Sequence, residues 1–363
     1  MKVVFSFIFI IIFSNLSWSQ KEEKDSLILQ TYLDVYYGVN LNLVNTEFKD
    51  MPAFLFNHHR HNEFNLNLGL INLSYNSERI RANLGLMAGT YANQNLANEP
   101  GVLKNIYQGN VGVSLIKDQD LWLDVGILEA HTGYESAISK DQNFLTRSIL
   151  AENSPYFSTG ASLNYTTKNE EWHFAGFLLN GWQNIVRPNE VQMPAFGHQV
   201  KYSPNQFLTL NSSSYFGREL GINNLKNRIF HNFFTELKKE DYSIILGFDY
   251  GMQESESLQT WDEWIGAIFE IRKNFKYNFS VGGRIEYFFD DNNSIIPVGQ
   301  ENLFENYGFT LGIDYNIEDL ALLRLEGKYY DGSGDYYRFQ DGFTDNLFLI
   351  SFGISFDLNK KLK

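Results

Sequence analysis

The sequence predicts an all-β fold, a transmembrane antiparallel up-and-down β-barrel of about sixteen strands, with short turns at one rim and long loops at the other. Three observations predict it. Apolar and polar residues alternate with a period of two over most of the chain. Aromatic residues make up 16% of the sequence, although the mean hydropathy is slightly negative. The connections between the predicted strands alternate between short and long.

The alternation gives each predicted strand one apolar and one polar face. In the first strand Leu29, Leu33 and Val35 share one face, whereas Gln30 and Asp34 share the other. The first face suits lipid and the second suits a watery lumen. The predicted strands are 29–40, 62–73, 79–90, 108–116, 121–130, 156–166, 171–182, 196–203, 206–217, 228–238, 241–251, 262–272, 275–289, 305–315, 320–330 and 344–358. A soluble β-sandwich also alternates, but its strands usually run about five or six residues, and most of these are longer.

The lengths of the connections predict how the barrel is oriented. Connections after the even-numbered strands are short, namely 74–78, 117–120, 167–170, 204–205, 239–240, 273–274 and 316–319. Those after the odd-numbered strands are mostly longer, namely 41–61, 91–107, 131–155, 183–195, 218–227, 252–261, 290–304 and 331–343. Outer-membrane barrels have short periplasmic turns and long extracellular loops. We therefore expect both termini to lie in the periplasm.

The start of the chain has the pattern of a secretory signal peptide. A basic residue precedes an apolar run over 3–13, and Ser17 and Ser19 supply the small residues of a cleavage site. The run is too short to span about 30 Å of hydrocarbon as a helix, which disfavours a retained anchor. We expect 1–19 to be a cleaved signal peptide and 20–363 to form a single barrel domain in the bacterial outer membrane.

The chain is acidic and contains no cysteine. Its formal net charge is −14, and removing the signal peptide with its single lysine leaves 28 basic and 43 acidic residues, a charge of −15. This acidity disfavours nucleic acid and anionic lipid as partners. Without disulfides, an exported chain of this size needs a large hydrogen-bonded fold. The expected partners are outer-membrane lipid, small hydrophilic solutes or ions, and the barrel-assembly machinery during biogenesis.

Short motifs across most of the chain resemble one protein family. They are Gly133-Tyr134-Glu135 with Asn143, Arg147 and Ser148; Pro155-Tyr156 leading into 159–163; Asn180-Gly181-Trp182; Tyr215-Phe216-Gly217; 283–288 before Asp290 and Asp291; and 323–326 before Asp331. In these the sequence resembles the OmpL-like β-barrel porins, a family of bacterial outer-membrane porins. The resemblance implies a channel, and sixteen-stranded porins form trimers, so it also implies a homotrimer. One departure is the tail 359–363, because barrels of this kind commonly end on an aromatic residue.

Two Arg-x-Glu pairs lie on predicted inward faces. Arg284 and Glu286 share one face, and Arg324 with Glu326 do the same two strands later. One interpretation is a transverse field that orients permeating solutes. The other is a structural ion-pair ladder that ties strands together.

Further charges are predicted to line the pore or its narrowest part. Arg79 and Arg81 lie on the inward face of the third predicted strand, and Asp124 lies on that of the fifth. The connection 131–155 is long for a loop without a function, which predicts that it folds inward as a constriction. It would carry Glu135, Asp141, Arg147 and Glu152 into the lumen. A surface-exposed loop is the alternative.

Enzyme and metal motifs are weak in this sequence. It contains no nucleophile elbow, zinc-protease, Walker or dinucleotide-binding motif, so we expect neither catalysis nor a cofactor. His131 beside Glu129 and Glu135 is similar to the rim residues of outer-membrane hydrolases. The histidine-rich run 58–61 offers no cysteine, and its Arg60 repels cations, which disfavours a metal site.

The leading function is therefore a water-filled channel for passive diffusion of small hydrophilic solutes or ions. Sixteen strands leave room for an aqueous pore, whereas eight are filled by their own side chains. One alternative is a non-conducting surface protein, either an adhesin or a structural anchor that displays the long loops. Another is a substrate-specific channel for an oligosaccharide or an anion.

Overall fold

Sixteen antiparallel strands close a barrel within the residues that the structure describes, which are 25–298 and 303–362 of a computed structural model. Each barrel strand is hydrogen-bonded to the strands before and after it, and the first strand pairs with the last. The predicted fold class and strand number are confirmed. The predicted signal peptide, 1–19, lies outside the described residues.

The sixteen barrel strands correspond one to one with the predicted segments. The described strands are β1 (Ser26–Asn40), β2 (Phe64–Asn76), β3 (Ile80–Ala88), β4 (Ile106–Ser114), β5 (Asp120–Glu129), β6 (Phe157–Thr166), β7 (Trp172–Leu179), β8 (Ala195–Asn205), β9 (Leu208–Leu220), β10 (Leu225–Lys239), β11 (Tyr242–Glu254), β12 (Trp261–Asn274), β13 (Phe279–Asp291), β14 (Leu303–Ile317), β15 (Ala321–Gly332), β16 (Tyr337–Phe339), β17 (Gly342–Thr344) and β18 (Asn346–Leu362). The short strands β16 and β17 form a separate hairpin in the last long loop, which the sequence pattern did not predict.

Two short helices also lie in the long loops, α1 (Thr90–Asn95) and α2 (Ile149–Glu152). No helix in the described part of the chain is long and apolar enough to cross a membrane. The loops are therefore structured, although the wall carries nearly all of the regular hydrogen bonding.

Alternating residues of each strand face opposite sides of the wall. On β1, Leu33 and Val35 are exposed on the outside, whereas Tyr32, Asp34 and Tyr36 are buried inside. This is the arrangement expected when lipid covers one face and the lumen the other. In a closed ring each strand has a hydrogen-bonded neighbour on both sides. No sheet edge with unpaired backbone N–H and C=O groups is left, as the hydrocarbon core of a membrane requires.

Aromatic pairs lie near both ends of the strands on the outer surface. Trp172 stacks on Tyr202 near the short turns, with ring centroids 4.2 Å apart. Tyr287 and Tyr307 pair near the long loops at 5.0 Å. These positions match the aromatic girdles that outer-membrane barrels place at the two membrane interfaces.

The chain's end corrects one sequence-based expectation. Residues after Leu358 were expected to form a tail beyond the last strand, but β18 continues to Leu362. It does so because β1 begins at Ser26, and the start of β1 offers backbone groups with which the end of β18 can pair. Leu27 pairs with Leu362, and Gln30 pairs with Asn359. Residues 359–362 therefore lengthen the pairing between β1 and β18 that closes the barrel.

Much of the interior is packed with apolar side chains from both the wall and the long loops. One buried cluster contains Phe54, Leu150, Phe230, Trp264, Phe288, Phe304, Tyr330 and Tyr337, among others. A second contains Tyr32, Leu68, Met87, Tyr91, Ile138 and Tyr156, among others. Close packing of this kind is typical of a protein core rather than of a wide aqueous pore.

Candidate functional site

Two cavities lie toward opposite rims of the barrel. The long-loop cavity, about 760 Å³, is lined by loop residues that include Phe48, Asp50 and Arg338. The short-turn cavity, about 560 Å³, is lined mainly by inward-facing strand residues, including Asn83 and Asn164, and it extends along β4 and β5 as far as Gln108 and Glu129. The two linings have no residue in common. Whatever separates the cavities is therefore the candidate constriction.

The third long loop, residues 131–155 and here called L3, contacts the surroundings of both cavities. Its Gly133 and Ile138 line the short-turn cavity. Its Ile149 and Leu150 belong to the apolar cluster that includes Met51, and Met51 lines the long-loop cavity. L3 thus lies between the two cavities.

Arg324 on β15 uses every N–H of its guanidinium, two of them on a neighbouring strand and three on the tip of L3. Nε and Nη2 each donate to Asp314 on β14, both at 3.0 Å. The remaining donors bind L3 carbonyls at 2.6, 2.8 and 2.9 Å, those of Ser139, Phe144 and Gln142 respectively. Since the side chain is only 1% exposed, these contacts leave it little access to water.

Arg284 on β13 holds the middle of L3 in the same manner. It donates to the carbonyls of Thr146 and Arg147 at 3.1 and 3.2 Å. Its Nη1 lies 3.5 Å from a carboxylate oxygen of Glu135 on L3 and 3.5 Å from one of Glu270 on β12. The guanidinium is buried and surrounded by acids, which is how buried charges are usually stabilised.

Other wall residues also bind the L3 backbone. Glu286 accepts the N–H of Ile149 at 2.7 Å, and Glu326 accepts that of Thr146 at 3.1 Å. Lys328 Nζ donates to the carbonyl of Arg147 at 2.7 Å. The inward charges of β13 and β15 therefore bind a loop, a role that neither the transverse field nor the ion-pair ladder between strands had included.

Glycines in the wall make room for the apolar side chains of L3. A Cβ on Gly312 would lie 3.2 Å from the Phe144 ring. A Cβ on Gly353 would lie 2.7 Å from Leu145, and one on Gly266 would lie 2.8 Å from Leu150. The wall and the loop are thus matched in shape, because larger side chains at these positions would displace L3.

The end of L3 is joined to the first long loop, residues 41–63 and here called L1. The carboxylate of Glu152 accepts the backbone N–H groups of Phe56 and Asn57 at 2.8 and 3.1 Å. Burial raises the pKa of Glu152 to about 7, although these hydrogen bonds and Arg147 oppose the shift. The contact between L1 and L3 therefore includes a carboxyl group that titrates near neutral pH.

Arg147 is buried in the centre of L3. Burial alone would lower its pKa, but Tyr156, Glu135 and other nearby groups raise the pKa above its usual value. No hydrogen-bond partner for its three guanidinium nitrogens is found among the described residues. The nearby carboxylates of Glu135 and Glu152 therefore favour the charged form of Arg147 despite its burial.

The short-turn cavity has a different, amide-rich lining. Arg81 on β3 donates to both oxygens of Asp124 on β5, at 2.6 and 2.5 Å, and lies over the Trp122 ring. Asn164 also donates to Asp124, at 2.7 Å. Asn83 lines the cavity beside them. These groups can bind water and polar solutes. Because Arg81 is paired with Asp124, they give the cavity little net charge.

Two predicted site residues lie away from these networks. Arg79 is in the turn before β3, is exposed, and donates to the carbonyl of Ser114 at 2.9 Å. Asp141 lies at the tip of L3 with its side chain exposed, and partial loss of solvation around its carboxyl group together with the charge of Asp357 raises its pKa. The adjacent Lys140 donates to the carbonyl of Asp319 in a short turn, at 2.6 Å. L3 thus reaches from the long-loop rim to the short-turn rim.

The histidines singled out in the sequence bind protein groups. His58 Nε2 lies 3.1 Å from Asp34, and His61 Nδ1 accepts the backbone N–H of Asn40 at 2.9 Å. Burial lowers the pKa of His131 to about 4, and its Nε2 contacts the Ser214 carbonyl at 2.9 Å. Within residues 25–298 and 303–362, no cluster of three or more candidate ligands could hold a metal ion.

The structure brings most predicted charges together around L3, namely Arg284, Glu286, Arg324, Glu326, Glu135, Arg147 and Glu152. Arg81 and Asp124 form a separate pair. Sequence reasoning missed Glu270, Asp314 and Lys328, although the same alternation places all three on inward faces. A conducting role for any of these residues stays a prediction.

Comparison with known proteins agrees with this architecture. The family model described as "Putative beta-barrel porin-2, OmpL-like" matches residues 26–356. No curated protein matches the chain significantly.

Solved structures with the same fold come from several bacteria, all at low sequence identity. OmpT of Vibrio cholerae in its trimer form has a TM-score of 0.62 and 9% identity, covering 93% of this chain and 100% of that one. The anion-selective porin from Comamonas acidovorans has a TM-score of 0.61 and 9% identity, covering 92% and 100%. The outer membrane channel DcaP of Acinetobacter baumannii has a TM-score of 0.57 and 9% identity, covering 94% and 100%. At this identity the likeness establishes the fold alone.

Proposed function

The chain belongs to the OmpL-like family of β-barrel porins, and on this premise we propose that it carries small hydrophilic solutes and ions across the outer membrane by passive diffusion, with L3 as the constriction. It is a channel protein and not an enzyme. The position of L3 between the two cavities is the observation that carries the proposal.

The barrel width supports an aqueous path. A ring of sixteen strands is wide enough for a water-filled channel, and the short-turn cavity already occupies about 560 Å³ of it. Apolar clusters and L3 fill the lumen above this cavity. Solute passage therefore requires L3, or the part of L1 that Glu152 binds, to move aside.

The charges suit a channel with weak preference for ion sign. Arg284, Arg324 and Lys328 bind L3 carbonyls and face little water. In the short-turn cavity Arg81 is paired with Asp124. The exposed acids that give the chain its negative charge lie partly in loops and turns, where salt screens them.

Export and assembly complete the proposal. A cleaved signal peptide over 1–19 would direct the chain to the periplasm, where the barrel-assembly machinery would insert it into outer-membrane lipid. OmpT of Vibrio cholerae, which has the same fold, was solved in a trimer form, and this supports a homo-oligomer of the present chain.

The test is electrical and uses the full mature chain in planar lipid bilayers. A porin gives stepwise conductance, and replacing 136–146 with a flexible Gly/Ser segment of equal length should raise the conductance of each step. The matched control replaces 255–260, an exposed loop whose Ser255 and Thr260 bond to each other, and should leave the step unchanged. Equal conductance in both variants would exclude L3 as the constriction.

The apolar filling of the lumen favours one alternative, a non-conducting surface protein that displays the long loops. Phe54 contacts Phe304 at 5.1 Å between ring centroids, and Tyr330 stacks with Tyr337 at 6.3 Å. Absence of conductance in both the native chain and the 136–146 variant would favour this alternative.

A further inference from the structure

The short-turn cavity follows the inside of the wall over much of its height. It begins beside Asn76, the last residue of β2, and reaches Gln108 and Glu129 near the long-loop ends of β4 and β5. Asp124 and Glu129 both line it and are five residues apart on β5, which corresponds to about 17 Å of strand. The cavity is therefore long enough for an organic solute. Since Asn76 is exposed, such a solute can enter from the short-turn rim while L3 stays in place.

Side-chain carboxamides dominate the lining of this cavity. Among the described residues there are eight, namely Gln30, Asn72, Asn76, Asn83, Gln108, Asn110, Asn164 and Gln199. Ser74 and Ser162 add hydroxyl groups. A carboxamide has two donor hydrogens and an acceptor oxygen, and a hydroxyl both donates and accepts. The lining thus offers hydrogen-bond donors and acceptors along its whole length.

The charges in the lining cancel. Arg81 is paired with Asp124, and the other charged side chains among the described lining residues are Glu129 and Lys201. His131 is neutral at neutral pH, because burial lowers its pKa to about 4. Two basic and two acidic groups therefore line the cavity of a chain whose formal net charge is −14. A lining without net charge favours neither cations nor anions.

Several polar atoms of the lining have no partner in the protein and can be reached by a solute. The amide nitrogens of Asn83 and Asn164 donate to neighbouring side chains, but no hydrogen bond to either side-chain oxygen is found in the described part of the chain, and neither oxygen is buried. Gln108 is only 7% exposed; it donates to Glu129 at 2.6 Å, and its oxygen is free in the same way. These oxygens are acceptors held in place by the bonds that their own amide nitrogens make.

We propose that the short-turn cavity binds an uncharged, hydroxyl-rich solute, the chemical class of sugars and polyols. This rests on the proposed function, because it names the substrate class of that channel. Hydroxyl groups of such a solute can donate to the free oxygens of Asn83, Gln108 and Asn164 and accept from the ammonium group of Lys201. The ring of Tyr107 lines the same cavity and can pack against the apolar C–H face of a sugar ring.

The opposite side of the lumen is not available to a solute in this way. The strand residues that line the short-turn cavity come from β1 to β8. On β13 and β15, Arg284, Arg324 and Lys328 instead donate to backbone carbonyls of L3. The free hydrogen-bonding groups and the space therefore occur together on one side of the barrel, where a permeating solute is expected to bind.

Direct binding to the native chain tests the proposal. Saturation-transfer difference NMR on the full mature chain in detergent micelles would compare three probes: sucrose as an uncharged sugar, alanine as a zwitterion and succinate as an anion. Transfer should be strongest to sucrose. Stronger transfer to alanine would indicate a site for zwitterions between Lys201 and Glu129, and stronger transfer to succinate would indicate an anion site. Either result, or no transfer to sucrose, would overturn the proposal.

Substitutions in the lining locate the bound sugar. Asn83→Ala and Asn164→Ala each remove one carboxamide, and one lost hydrogen bond corresponds to a roughly two- to tenfold weaker affinity for sucrose. The matched control is Asn316→Ala, because Asn316 is near the short-turn end of β14, outside the lining of the cavity, and should leave the affinity unchanged. Equal affinity in the two lining variants and the control would place the sugar elsewhere.

Conductance separates this proposal from the proposed function. In planar bilayers sucrose should reduce the single-channel ion current with a saturable dependence on its concentration, whereas an effect of viscosity alone does not saturate. A chain that conducts but does not bind sucrose retains the channel and refutes the sugar site. A chain that binds sucrose but never conducts retains the sugar site and refutes the channel.

Discussion

Arg324 and Asp314 form a two-point ion pair across neighbouring strands, with both N–H···O distances at 3.0 Å. The same guanidinium binds three carbonyls of L3. The pair is therefore an anchor for the loop: Asp314 fixes the orientation of Arg324, and Arg324 fixes the tip of L3.

Replacing Arg324 with methionine should release the tip of L3. The change removes one of the two guanidinium partners of Asp314, which keeps Arg272, and it leaves L3 carbonyls without donors. Leaving a buried charge uncompensated costs about 3 to 5 kcal/mol. Because Arg272 still pairs with Asp314, denaturant unfolding in detergent should show a smaller loss than that, and bilayer conductance should rise. Asp314→Asn keeps an acceptor and should lose less. Equal conductance in the native chain and Arg324→Met would contradict the anchoring role.

The charges that line the short-turn cavity should determine the selectivity of the channel between cations and anions. Arg81→Gln removes the positive partner of Asp124, so reversal potentials in a salt gradient should shift toward cations. The shift should be larger at 0.1 M than at 1 M salt, because the Debye length falls from about 10 Å to about 3 Å.

Arg79→Gln is the matched control for that experiment. It removes the same charge from the exposed turn before β3, outside the lining of the cavity, and should shift the reversal potential less. A larger effect for Arg79 than for Arg81 would place the ion path elsewhere.

Glu152 should make the contact between L1 and L3 sensitive to pH. Its pKa is raised by burial to about 7, from an ordinary value of 4.5. The buried arrangement binds the proton more tightly, so its extra stability is full below about 4.5 and is lost as the pH rises through about 7. In bilayers the open fraction should be higher at pH 8 than at pH 5, by at most about tenfold per pH unit.

Glu152→Gln tests this pH dependence because the amide still accepts from Phe56 and Asn57 but does not titrate. The variant should show a flatter profile between pH 5 and pH 8. A variant that keeps the native profile would assign the titration to another group.

The wall could be predicted from the sequence because strand alternation is local. Leu33 and Asp34 differ by one position, and the chemistry of each indicates its face of the wall. The same rule placed Arg284, Glu286, Arg324 and Glu326 inside. The extension of β18 to Leu362 was missed because its cause, the early start of β1, lies at the other end of the chain.

The partners of the inward charges could not be predicted in this way. Alternation shows that Arg324 faces inward, but its contact with Gln142 depends on how L3 folds across the lumen. The fit of Phe144 against Gly312 is also tertiary, because glycines on a predicted strand look the same whether they face water or a side chain. The contacts that L3 makes inside the lumen could therefore be identified only from the structure.

The central claim is that L3 is the constriction of a conducting barrel, and one pair of variants tests it most directly. A side chain on Gly312 would push against the Phe144 ring, 3.2 Å from its Cβ, whereas one on Gly283 faces lipid, with Leu311 3.8 Å away as its nearest neighbour. Single-channel conductance should rise in Gly312→Leu and stay at the native value in Gly283→Leu. Identical conductance in the two variants, or no conductance in either, would contradict the claim.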